Sequence, residues 1–175
     1  MGRVIVLIRY FKDFTIARKK HIRKKISKNG SLSLNKSKFK EISVIEVFQK
    51  FVKSNNTQIS LKIDIEGSEY EIIEQIMIYH KQIRIIVIEF HDIIRKVEQF
   101  EQLFTLLKSQ YALIHSHINN NGSFNNEKIP EICEFTFISS VDLQGSQKVD
   151  RIPLLGKDYP NNKYLPDFQI NFNEI

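Results

Sequence analysis

Hydrophobic positions along this chain follow two rhythms, and the change from one to the other marks its elements. Residues 4–8, Val4-Ile5-Val6-Leu7-Ile8, form a β-branched run of the kind that makes a buried strand. Regular patterning then lapses until Ser43-Val44-Ile45-Glu46. That spacing is a capping box, in which the serine hydroxyl takes one free amide and the glutamate reaches back to another. Ile45, Phe48 and Val52 give the helix behind it one apolar stripe, closed by Asn55 and Asn56. Ile59, Leu61, Ile63 and Ile65 then alternate with Ser60, Lys62 and Asp64, the period of a strand with one buried face. Glu66-Gly67 ends that strand, and Ser68-Glu69-Tyr70-Glu71 repeats the capping box ahead of the stripe Ile72, Ile73, Ile76 and Met77. Residues 83–90 are almost continuously apolar, which predicts a strand covered on both faces. Val97, Phe100, Leu103, Phe104 and Leu107 place a third helix, and residues 111–118 and 132–138 read as two more strands.

From residue 43 the predicted order is helix, strand, helix, strand, helix, strand, loop, strand. Strands alternating with helices are parallel neighbours in an open α/β sheet. The last two, joined by the Asn- and Gly-rich stretch 119–126, should be antiparallel because no helix carries the chain back. Pro153, Pro160 and Pro166 predict an extended, surface-hugging tail from about residue 142.

A chain of 175 residues can bury about 70% of its unfolded surface, enough for one ordinary core. Cys133 is the only cysteine, which excludes an intrachain disulfide and a cysteine-based zinc site. Charge is placed unevenly: residues 1–40 hold 13 of the 26 basic residues and a single acid, Asp13. We therefore divide the chain into a basic segment, 1–40, and a domain, 41–175. The run 18–25 lacks the interleaved aromatics of a base-stacking surface, so nucleic acid is not expected as a partner. The early apolar run is too short for a membrane span and carries no secretory cleavage signal, and a cytoplasmic location is the default expectation.

Ligands of an open α/β sheet collect at the carboxyl ends of its strands. One such end carries Asp64-Ile65-Glu66-Gly67, another Glu89-Phe90-His91-Asp92, and a third His115 and His117 followed by Asn119 and Asn120. Acids and imidazoles at one rim suit general acid–base work. Each also has a plainer reading: the acids as helix caps, His91 as a turn residue, His115 and His117 as a packed pair. A calcium loop is excluded because Gly67 stands fourth and Gln75 twelfth from Asp64. No G-x-S-x-G elbow exists for a serine hydrolase. No metal set is expected.

The segment Leu61-Lys62-Ile63-Asp64-Ile65-Glu66-Gly67-Ser68-Glu69-Tyr70 resembles the K-[IM]-D-[IV]-E-G-[AS]-E signature of the FkbM-type methyltransferases. Ile86-Val87-Ile88-Glu89-Phe90-His91-Asp92 is similar to that family's I-V-I-E-F-H-D strand, and His115-Ser116-His117-Ile118-Asn119-Asn120 to its H-x-H-x-N-N element. Ile129-Pro130-Glu131 and Asp158-Tyr159-Pro160-Asn161-Asn162 extend the likeness, which spans roughly residues 41–172. The resemblance implies a Rossmann-like class I fold and methyl transfer from S-adenosylmethionine to an oxygen of a sugar or small metabolite. By position it implies Asp64, Glu66 and His91 as catalytic groups and His115, His117, Asn119 and Asn120 as groups facing the acceptor.

The front of the chain departs from that family pattern. Its glycines are Gly2, Gly30, Gly67, Gly122, Gly145 and Gly156, and no two could form the glycine-rich turn that cradles the cofactor. The expectation is an incomplete sheet, parallel with a C-terminal antiparallel pair, in a truncated chain lacking the cofactor-binding half; the cofactor-binding residues stay unassigned. A strand at 59–65 left with a free edge would favour a homodimer, unless residues 4–8 or 30–37 cover it. Two alternatives are a non-catalytic interaction protein with this fold and a basic segment binding nucleic acid or an anionic surface.

Overall fold

A computed structural model describes residues 3–9, 46, 48, 49, 58–143, 145, 151–154 and 156–171. The basic run 18–25, the loop 30–37 and the capping box at 43–46 fall, in whole or in large part, outside the described residues, as do Ile45 and Val52. The chain divides into two compact units, 1–88 and 89–175. Among the described residues no helix is long and apolar enough to cross a membrane.

The first unit is a parallel sheet. Strands β1 (Arg3–Arg9), β2 (Gln58–Asp64) and β3 (Ile83–Phe90) lie in that order, and β3 runs two residues into the second unit. Residues 4–8 therefore do cover the edge of β2, in the register Val6↔Leu61 and Ile8↔Ile63. Along β2 the predicted alternation holds: Ile59, Leu61 and Ile63 are buried while Ser60 and Lys62 are half-buried. Strand β3 departs from the expectation of cover on both faces, since Ile85 is 36% exposed. The register shifts there, with Ile59 opposite Ile83 but Ser60 opposite Ile85. An extra residue reverses the inward phase of a strand, so Ile83 is buried and then Ile86, Ile88 and Phe90.

Glu46, Phe48 and Gln49 are helical, and buried Phe48 stacks on Tyr79 with centroids 4.5 Å apart. Between β2 and β3 the chain makes a 3₁₀ turn, Glu69–Glu71, and a short helix, α1 (Ile73–Met77), which buries Ile73 and Ile76. The predicted capping box at Ser68 does not form. Ser68 has φ −95° and ψ 6° and caps nothing with its side chain, because an N-cap hydroxyl reaches its amide from extended backbone.

In the second unit, a 3₁₀ turn (Ile93–Arg95) leads to α2 (Val97–Lys108), then β4 (Tyr111–Ile118) and β5 (Cys133–Ser139). The last two pair antiparallel as predicted. Phe90, Phe100, Phe104, Phe135 and Phe137 form the core cluster, with edge-on pairs such as Phe90–Phe100 at 5.2 Å and Phe104–Phe135 at 5.1 Å. Each such pair adds about 0.5–1.5 kcal/mol beyond area burial. Within the tail, β6 (Arg151–Ile152) and β7 (Ile170–Asn171) pair as a two-residue antiparallel ladder. Between them, residues 156–168 form a strap.

Candidate functional site

Among the described residues, the first unit presents an acidic turn after β2. Glu66 (φ 56°) and Gly67 (φ 97°) adopt left-handed backbone after β2. Such consecutive turns aim amides inward as an anion-binding nest. This nest is filled by the chain itself: Glu69, with no exposed surface, accepts from Ile65 N–H at 3.0 Å and from Gly67 N–H at 3.2 and 3.0 Å. Asp64 is half-buried and Glu66 exposed at the same turn. Glu69 stands inside the signature, yet its role as the turn's internal anion was not legible from spacing.

The second unit gathers His91, Glu89 and Asn119. A Glu89 carboxylate oxygen and a His91 ring nitrogen lie within 4.8 Å of each other, and Asn119 Nδ2 donates to Glu89 Oε1 at 2.7 Å. All three are half-buried. Carboxylate and imidazole both ligate divalent cations as well as moving protons. Asp92, in left-handed backbone (φ 56°), turns the chain away after His91, and Ile93 N–H bonds Glu131 O at 3.0 Å to tie down that exit. Glu89 was visible as a strand-end acid, but only the fold shows it meeting Asn119, 30 residues away.

Asn119 is held from every side. Its N–H donates to Ile132 O and its carbonyl accepts from Gly122 N–H, both at 3.1 Å. Its Oδ1 accepts from Asn121 N–H at 3.0 Å and Asn121 Nδ2 at 3.1 Å. Gly122 has little room for a side chain, since a Cβ there would come within 3.3 Å of Ile132 N.

His115, His117 and Asn120 are engaged by the strap. His115 Nε2 lies 3.1 Å from Asp158 Oδ1, and His117 Nε2 lies 3.1 Å from Asp167 Oδ2. Asn120, 3% exposed, aims its NH2 at the carbonyls of Asn162, Leu165 and Pro166 at 3.0, 3.2 and 3.2 Å. Its oxygen accepts from Asn162 N–H at 2.7 Å. Phe124 meets Phe168 edge-on at 4.6 Å. Each of the two histidines thus meets its own carboxylate of the strap.

Two further groups are shifted by their surroundings. Burial pushes the Cys133 thiol up to about 12, so it is no thiolate nucleophile at neutral pH. Glu131 is held below the usual carboxylate range by the Ser123 hydroxyl (2.9 Å) and the Ser123 N–H (3.1 Å).

Residues 11–117 match the family model described as the methyltransferase FkbM domain. The match begins inside the basic head, ahead of the 41–172 stretch where the residues show the resemblance, and stops at the end of β4. No curated protein and no solved structure matches the chain.

Proposed function

The chain belongs to the FkbM methyltransferase domain family, and on that premise we propose that it handles the acceptor in methyl transfer to an oxygen of a sugar or another small hydroxylated metabolite. The observation that carries this reading is the His91–Glu89 pair at the end of β3, with Glu89 fixed by Asn119. An acceptor hydroxyl must lose its proton as its oxygen gains a methyl group. His91 takes that proton, and the Glu89 carboxylate beside it stabilises the imidazolium that results. Positioned proton removal of this kind contributes about 10²- to 10⁴-fold in rate. Asp64 and Glu66 are proposed as the catalytic carboxylates of the first unit. His115, His117 and Asn120 act on the acceptor side by seating the strap.

S-adenosylmethionine is the methyl donor that family membership suggests, and it supplies an electrophilic methyl group when bound. The described residues do not fit it. Class I methyltransferases open with a strand and a glycine-rich turn, yet after β1 Arg9 is followed by Tyr10, Phe11 and Lys12 and the next glycine is Gly30. The one nest after β2 is filled by Glu69. The same observation favours the second reading, a non-catalytic protein that keeps this fold for interaction.

Incubation with methyl-labelled S-adenosylmethionine and a panel of monosaccharides and polyols tests the first reading. Any label transferred to an acceptor should fall at least about a hundredfold in Glu89→Gln and in His91→Asn. Label transfer that survives both substitutions overturns the assignment of the pair. No transfer to any acceptor, with no heat on titrating millimolar cofactor, favours the non-catalytic reading.

A further inference from the structure

Three asparagine side chains line up between the strap and Glu89, all oriented the same way. Asn162 Nδ2 donates to Asn121 Oδ1 at 3.1 Å, Asn121 Nδ2 donates to Asn119 Oδ1 at 3.1 Å, and Asn119 Nδ2 donates to Glu89 Oε1 at 2.7 Å. An amide's two ends look alike by shape, so its orientation is decided by its partners. Here the partners decide it at each step. Asn119 Oδ1 also accepts the Asn121 main-chain N–H at 3.0 Å, which a flipped NH2 could not do. Asn162 Oδ1 accepts Tyr164 N–H at 3.0 Å, which turns its Nδ2 toward Asn121. The far end of the chain is anchored too, because Asn162 N–H bonds buried Asn120 Oδ1 at 2.7 Å.

We propose that Asn162, Asn121 and Asn119 are positioning residues that transmit the seating of the C-terminal strap to the orientation of the Glu89 carboxylate. Hydrogen bonds in a chain polarise one another, and the last donates to a carboxylate, where such bonds are strongest. Asn119 then acts through Glu89 instead of touching the acceptor. The strap in turn becomes part of the machinery although it lies 42 residues beyond the turn it grips. Two links of the relay are exposed, so water competes for them. The second bond from Asn121 N–H to the same Asn119 oxygen offsets that competition. The relation of the relay to catalysis rests on the proposed role of the His91–Glu89 pair; the relay itself does not.

The test uses the full chain, isotopically labelled, in two variants. Asn162→Asp keeps the acceptor for Tyr164 N–H but sets an oxygen against Asn121 Oδ1, and Asn121→Ala removes the middle link at an exposed site. Both should move the Asn119 side-chain amide signals and the Glu89 carboxyl ¹³C signal, with those of the Phe137 ring unchanged as the control for folding. A Glu89 signal that stays in place in both variants overturns the relay. In turnover, kcat should fall about tenfold with KM within about twofold. A raised KM at unchanged kcat would make Asn162 an acceptor ligand and sink the positioning role. If the unmodified chain transfers no methyl group, the proposed function fails, while the Glu89 signal still decides the relay.

Discussion

Glu69 accepts the Gly67 N–H into both carboxyl oxygens, at 3.2 and 3.0 Å, while presenting no surface to solvent. The backbone between Asp64 and Glu69 thereby closes on a side chain two residues further on. Glu66 is left exposed at the crest of the turn in left-handed backbone, a conformation that costs a non-glycine residue free energy. The buried carboxyl group offsets that cost by satisfying the amides of Ile65 and Gly67.

Glu69→Gln should therefore destabilise the protein by about 1–3 kcal/mol, because the NH2 that replaces Oε2 sets a donor against the Gly67 N–H and leaves one uncharged oxygen to accept from both Ile65 and Gly67. Urea unfolding followed by circular dichroism measures the loss. A change of a few tenths would show that the turn holds without its internal anion.

The two imidazole–carboxylate contacts of the strap should differ in strength. Side chains of His117 and Asp167 are 11% and 13% exposed, against 23% and 13% for His115 and Asp158. The better-shielded pair should show the larger coupling in a double-mutant cycle to alanine, about 1 kcal/mol or more for His117–Asp167. Equal couplings would mean that burial does not set their worth.

Asn120→Ala removes a buried amide that grips three carbonyls and one N–H of the strap. Hydrogen exchange of residues 156–168 should speed up at least about tenfold, with α2 and β5 unchanged. Uniform acceleration across the second unit would instead place Asn120 in the global core.

Cys133 ties stability to alkaline pH. Its folded thiol is raised to about 12 from an ordinary 9.0 chiefly by burial, against a smaller lowering by a backbone hydrogen bond at His117. Below pH 9 the thiol is protonated folded or unfolded and contributes nothing to pH dependence. Between 9 and 12 the unfolded chain loses the proton first, so stability falls as pH rises, by up to about 1.4 kcal/mol per unit. Cys133→Ala should remove that component from the melting temperature measured between pH 8.5 and 10.5. Under native conditions the thiol should react with a disulfide reagent only at the rate of unfolding.

Much of the fold was legible in local pattern. The alternation Ile59, Leu61, Ile63 places β2 within one residue of its observed bounds, and Phe100, Leu103, Phe104 and Leu107 place α2. The short link 119–132 carries no helix, so β4 and β5 had to be antiparallel. At Ser68 pattern misled, because a capping box is defined by spacing while the cap depends on φ and ψ. In β3 an apolar run hid an irregular register, since isoleucine tolerates both a buried and an exposed site.

By itself, the sequence determined which stretches are strand or helix, which residues sit at strand ends, and which family the chain joins, because each depends on neighbours a few residues apart. It offered Asp64, Glu66, His91, His115, His117, Asn119 and Asn120 as chemistry without saying what each meets. Tertiary structure decided that His117 faces Asp167, that Asn120 grips the strap and that Asn119 holds Glu89. Those partners lie 30 to 50 residues apart, and a short polar side chain reaches only what the folded path of the backbone brings within about 3 Å.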